Sequence, residues 1–215
     1  MGHSSSPKNH RVFLVRHGQT AWNASGRAQG HTEIPLDEIG RTQAERVGER
    51  LARAAAALPG AEVWSSDLGR CRETAAPLLS RVSLPVTYHP ELRERTFGAW
   101  EGEPLADIRL RLDDLAREAG LASTTSIRPP GGESFEDVWN RVSPIAERLA
   151  ETLKLRSVIV VSHGGLSSLL LARLISASPE TARSFRLRNT SVTELELRPD
   201  GAFQLLRFDD TTHLE

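Results

Sequence analysis

The sequence predicts an α/β fold: a three-layer sandwich with a mostly parallel central sheet flanked by helices. Three observations carry that expectation. Two apolar runs, Val12-Phe13-Leu14-Val15 and Val158-Ile159-Val160-Val161, have the length and β-branched content of strands buried on both faces. Helical stripes alternate with further short strand-like runs, the pattern of crossover units on a parallel sheet. Each long apolar run ends in a histidine and a glycine, Arg16-His17-Gly18 and Ser162-His163-Gly164. Such sheets gather their chemistry beyond the carboxyl ends of the strands, so the two histidines can face one another although 146 positions separate them.

The elements follow in order. After the first strand, residues 18–35 form a long glycine-rich, polar loop, a length that often marks function. Asp37 is a good N-cap for a helix whose stripe is Val47, Leu51, Ala54 and Leu58, ended by Pro59-Gly60. Ala61 to Ser65 reads as a strand, and a helix starting at Asp67 carries Leu68, Cys71, Ala75 and Leu78. Val86 to His89 reads as a third strand. Leu105, Ile108, Leu112 and Leu115 mark a helix that ends at Gly120, with loop to Pro130. Ser134 to Asp137 forms a capping box for a helix carrying Phe135, Val138, Val142, Ile145 and Leu149; Pro144 kinks this helix or marks its true start. A strand at 157–161 leads into a helix, Gly165 to Ile175, that is apolar on most sides. Residues 191–197 and 202–208 flank Pro199-Asp200-Gly201 as an edge hairpin. The expected organisation is a flexible tail at 1–10 and a single domain at 11–215, with 103–130 as an insertion capping the substrate.

The bulk composition excludes several function classes. A formal charge of −1 supplies no field toward nucleic acid or anionic membrane. Cys71 is the only cysteine, which rules out an intrachain disulfide and argues against a thiolate metal cluster. The polar N-terminus lacks the apolar core of a secretory signal, and no run approaches the ~20 apolar residues of a membrane span. A cytoplasmic location is expected.

The strand ends suggest phosphate chemistry. A histidine nucleophile needs a neutral ring, fixed donors for the phosphoryl oxygens, and an acid beside the leaving oxygen. His17 supplies the nucleophile. Arg16 offers a planar fork matched to phosphate, and Gly18 lets the backbone approach the ligand. Thr20 and Asn23 add uncharged donors. Arg70 lies in the first turn of a helix whose N-terminus attracts anions. Glu94 follows the third strand, and His163 with Gly164 and Gly165 follows the fourth. Taken singly, each is an ordinary ion-pair or hydrogen-bonding residue; taken together at four strand ends they make a site. Glu101 and Glu133 are rival acids. His31, His89 and the four tryptophans read as structural, Cys71 as inert core, and Arg41, Arg46, Arg50 and Arg53 as a solvated face.

Arg-His-Gly-Gln-Thr with Trp-Asn, Ser-Ser-Asp-x-x-Arg with Glu-Thr-Ala, Arg-Glu-x-x-Phe-Gly-x-Trp-Glu-Gly, Gly-Gly-Glu-Ser and Ser-His-Gly-Gly occur here in that order. From Arg11 to Phe208 the chain resembles the histidine phosphatase superfamily, the phosphoglycerate mutase-like family. The resemblance implies that His17 is transiently phosphorylated and that Arg16, Arg70 and His163 bind the phosphoryl group with help from Asn23. It also implies that Glu94 protonates the leaving oxygen, with no metal or cofactor required.

The family holds hydrolases and mutases. Residues 102–130 contain no lysine, and Leu112-Asp113-Asp114-Leu115 stands where mutases resemble Trp-Arg-Arg. Arg27-Ala28-Gln29-Gly30 resembles the phosphatases. The implied activity is therefore a phosphomonoesterase acting on a small phosphorylated metabolite, its pocket formed by Gln29, Gly30 and residues 105–130. A mutase and a silent phosphate-binding module are the alternatives. The expected partner is a small-molecule phosphate ester, with no nucleic acid and no membrane, and the chain as monomer or homodimer.

Overall fold

Strand alternation builds two cores on one sheet. The computed structural model describes residues 10–215; apart from His10, the tail expected at 1–10 lies outside the described residues. β1 (Arg11–Arg16), β2 (Glu62–Ser65), β3 (Val86–Tyr88), β4 (Val158–Ser162), β5 (Val192–Leu197) and β6 (Phe203–Asp210) form one sheet in the order β3-β2-β4-β1-β5-β6. The pairs β1·β4, β2·β4 and β2·β3 are parallel; β5 and β6 join antiparallel, as the hairpin signal predicted. Val12, Leu14, Val158 and Val160 turn to one face, where α5 (Phe135–Thr152) and α6 (Gly164–Leu174) cover them. Phe13, Val15, Ile159 and Val161 turn to the other, under α2 (Glu38–Ala56) and α3 (Gly69–Arg81). Three layers result.

The register sets the site. Arg16 pairs with Ser162, so His17 and His163 leave the sheet side by side at adjacent strand ends. The His17 amide donates to the Ser162 carbonyl (2.9 Å) and carries the alignment one residue past β1.

Some boundaries differ from expectation. α2 buries Ala55 rather than Ala54. α3 starts at Gly69, not Asp67, because the Asp67 carboxylate is held by the Arg93 fork at 2.7 and 2.6 Å, and Glu33 accepts from the Gly69 amide at 2.9 Å. The expected loop at 18–35 contains a short helix, α1 (Ala21–Ala24). α4 (Leu105–Glu118) buries Ala116 instead of Leu115 and packs with Ala28 and Trp100 in a small separate core. α5 runs through Pro144 without restarting there. A one-turn helix, α7 (Pro179–Ala182), follows α6. Among the described residues, no helix is long and apolar enough to cross a membrane.

Candidate active site

His17 lies at the floor of a cavity of about 640 Å3 and is nearly inaccessible to solvent. Its Nδ1 is 2.7 Å from the Gly18 carbonyl oxygen. A carbonyl only accepts, so Nδ1 carries the proton and Nε2 keeps its lone pair. Burial, then the charges of Arg16 and Arg70, hold the ring well below the usual histidine pKa, so it is neutral at neutral pH.

The guanidiniums around it are placed by backbone carbonyls. Arg16 Nη1 donates to Leu187 (2.7 Å), while its Nε is buried with no partner. A β-carbon at Gly164 would lie 3.3 Å from that Nε, so glycine keeps the space open. Arg70 is wholly buried; its Nη1 and Nη2 donate to Thr32 and Gly30 carbonyls at 2.9 and 2.7 Å, and its Nε to His163 Nδ1 at 3.2 Å. His163 Nε2 faces Ser66 Oγ at 2.9 Å. Its ring sits edge-on to His17, with centroids 5.1 Å apart. His163 therefore braces His17 and Arg70 from beneath and does not line the cavity itself.

Glu94 lines the same cavity. Its Oε2 accepts from the Gly165 amide (3.0 Å), and its Oε1 from the amides of Leu166 (3.2 Å) and Arg95 (2.9 Å). The carboxylate thus docks on the N-terminus of α6, where free amides and the helix dipole favour an anion. The rival acids serve as loop staples. Glu101 accepts from the amides of His31, Thr32 and Phe97 and from two threonine hydroxyls; Glu133 takes the Arg141 fork. His31 Nε2 donates to the Glu94 carbonyl at 2.9 Å, and His89 packs on Trp64. Cys71 is buried with its thiol pushed up to about 12, mainly by burial, yet it touches His163 Nε2 at 3.4 Å.

Three expected binding residues do something else. Gly18 approaches protein rather than ligand: a β-carbon there would stand 2.6 Å from the Gly40 carbonyl of α2. Thr20 is fully buried and caps α1, its hydroxyl bonded with the Asn23 amide and Oδ1. Gly30 lies behind the wall at positive φ, and its carbonyl holds Arg70. Asn23 and Gln29 do reach the cavity. The Gln29 Oε1 is buried without a partner, and the Asn23 side chain meets Thr20 and Asn189 through its Oδ1.

Sequence reasoning missed two contributors. Asn189 Nδ2 donates to the His17 carbonyl (2.9 Å) and to Asn23 Oδ1 (3.2 Å), fixing the floor. The segment after α7 supplies a wall with Arg183, Phe185, Arg186 and Leu187, facing Ile108 and Leu112 of α4. No motif marked 176–190; the one available signal was an arginine pair three apart beside a phenylalanine. Among the described residues, no cluster of three or more His, Cys, Asp or Glu is arranged to hold a metal.

Comparison with known proteins bears on this geometry. Residues 12–211 match the family described as "Histidine phosphatase superfamily (branch 1)". Phosphoglycerate mutase-like protein 4 of Arabidopsis thaliana is 32% identical over 206 residues, 95% of this chain and 86% of the relative. The alpha-ribazole phosphatase of Shigella flexneri superposes with a TM-score of 0.79 at 30% identity, covering 93% of this chain and 96% of that one. The mycobacterial glucosyl-3-phosphoglycerate phosphatase does so with 0.78 at 30% identity, over 95% and 100%.

Proposed function

The chain belongs to the histidine phosphatase superfamily, and from that premise we propose that it hydrolyses a small phosphorylated metabolite through a phosphohistidine on His17. His17 Nε2 attacks phosphorus, and the ester oxygen departs with a proton from Glu94. Water then attacks the phosphohistidine while the Glu94 carboxylate takes its proton. The P–N bond breaks, its electron pair returns to Nε2, and phosphate leaves. Two easier steps replace one hard one.

One observation carries this reading: a neutral imidazole with its Nδ1 proton committed to Gly18, its Nε2 lone pair available, and two guanidiniums beside it. The unpartnered Arg16 Nε and the amide of Asn23, which lines the cavity, are donors for the phosphoryl oxygens, where transition-state charge spreads. Arg70 lines the cavity beside the nucleophile, and His163, bonded to Arg70, packs against His17 from behind.

His17→Ala removes the attacking atom and leaves the scaffold. Loss of 4-nitrophenyl phosphate turnover with unchanged circular dichroism supports the reading; turnover within a few fold of the parent contradicts it. The mutase reading draws on the mutase-like name of the plant relative. It requires that the phosphoryl group return to a glycerate instead of water, and the ratio of free phosphate to isomerised phosphoglycerate separates the two.

A further inference from the structure

We propose that the substrate carries a second anionic group, a carboxylate or another phosphate, beyond an apolar linker, and that Arg95, Arg183 and Arg186 receive it. The inference rests on the hydrolase reading above and adds the class of leaving group. A cavity of about 640 Å3 falls in the range of pockets for drug-sized ligands, and a phosphoryl group fills only its floor.

The remainder has apolar sides and a cationic end. Phe97, Leu112, Phe135 and Phe185 line the sides. Seven arginines reach the cavity against two carboxylates, Glu94 and Asp113. Four of the seven are accounted for by carbonyls that fix them: Arg16 by Leu187, Arg27 by Gly102, Arg70 by Gly30 and Thr32, and Arg95 by Glu133.

Arg95 is only half satisfied. Its Nε donates to the Glu133 carbonyl at 2.8 Å and its guanidinium lies over the Phe97 ring, but its Nη2 is buried with no partner. Arg183 is close enough to repel the Arg95 charge. Two like charges drawn together at a partly desolvated wall destabilise one another unless an anion joins them. Nearby carboxylates are committed elsewhere: Glu133 to Arg141 and Asp137 to Arg128. Glu180, three residues before Arg183, feels its charge without forming an ion pair, and the Arg183 and Arg186 side chains have no hydrogen bond or ion pair among the described residues. Arg183 and Arg186 thus line the cavity with Arg95, whose buried Nη2 has no partner; Glu94, the carboxylate that acts most strongly on Arg95, is tied to backbone amides, and neither it nor Asp113 forms an ion pair with the three among the described residues. Because Arg95 is the chain neighbour of Glu94, these arginines border the departing side of the phosphoryl site.

Three aryl phosphates of matched leaving ability test the subsite: 4-ethylphenyl, 4-carboxymethylphenyl and 4-phosphonomethylphenyl phosphate. The two charged probes distinguish a carboxylate from a phosphoryl partner. The parent protein is expected to favour at least one charged probe over the ethyl probe by about tenfold in kcat/KM, largely through KM, as two partly exposed ion pairs allow. In Arg183→Gln/Arg186→Gln, which replaces exposed side chains, that ratio is expected to fall toward one. Equal kcat/KM for all three probes with the parent, or a preference retained by the double variant, overturns the inference. Hydrolysis of none of the three overturns the hydrolase reading instead, and calorimetric binding of the same probes then decides the subsite by the same ratio.

Discussion

Gly165→Ala separates the placing of the acid from its presence. A β-carbon at 165 would stand 2.6 Å from Glu94 Oε1 and 3.3 Å from its Cδ, where ordinary contact begins near 3.4 Å. The carboxylate must withdraw by about 1 Å and lose its bonds to the Gly165 and Leu166 amides. A misplacement of that size at a reacting group costs about 10²-fold. The loss must depend on the leaving group, since an alkoxide needs a proton and a 4-nitrophenolate hardly does. We expect kcat/KM to fall about 100-fold for an alkyl phosphate and less than about tenfold for 4-nitrophenyl phosphate. Folding should survive: alanine is about 1 kcal/mol better than glycine inside a helix, which offsets part of the lost hydrogen bonding. Steady-state kinetics with both esters, alongside a melting curve, make the test. Equal losses for the two esters, or an alkyl ester loss below threefold, refute the role given to Glu94.

Three further outcomes are expected. His17 and His163 are held neutral by burial and by neighbouring arginines, well below the usual value of 6.5. The unfolded chain takes up these protons near pH 6.5 and the folded chain does not. Stability is therefore full above that pH and falls as pH drops below it, by about 1.4 kcal/mol per unit for each ring; urea midpoints from pH 7 to 5 should show a shallower slope in His17→Gln than in the parent. Ser134→Ala removes the hydroxyl that accepts from the Asp137 amide at the start of α5, and should cost about 1 kcal/mol, a melting point roughly 2–4 °C lower, with kcat unchanged. Orthovanadate, which adopts the five-coordinate geometry of the transition state, should inhibit competitively, while prolonged dialysis against EDTA should leave turnover intact.

Most of the architecture was legible because strand and helix periods differ. Val12 to Val15 and Val158 to Val161 announced central strands, and Pro199-Asp200-Gly201 announced the edge hairpin. Four candidates could be singled out by their place near strand ends: Arg16 ends β1, His17 follows it, Arg70 lies in the first turn of α3, and Glu94 comes six residues after β3. What could not be read depends on tertiary partners. Asp67 has the chemistry of an N-cap, but Arg93, 26 residues on, claims its carboxylate. Gly18 and Gly30 looked like ligand contacts, yet the one makes room for α2 and the other presents a carbonyl to Arg70. Thr20 was a donor by type, but its hydroxyl is taken three residues away. The wall at 182–187 has no period and no motif; only folding brings it opposite α4.

The central claim is that one imidazole carries the phosphoryl group. Rapid quenching of the protein with a 32P-labelled phosphomonoester, followed by peptide mapping, tests it directly. The account predicts a label that is stable in alkali, labile in acid, and confined to the peptide bearing His17. A label on any other residue, or steady turnover with no trapped phosphoenzyme under conditions where its hydrolysis is rate-limiting, contradicts it.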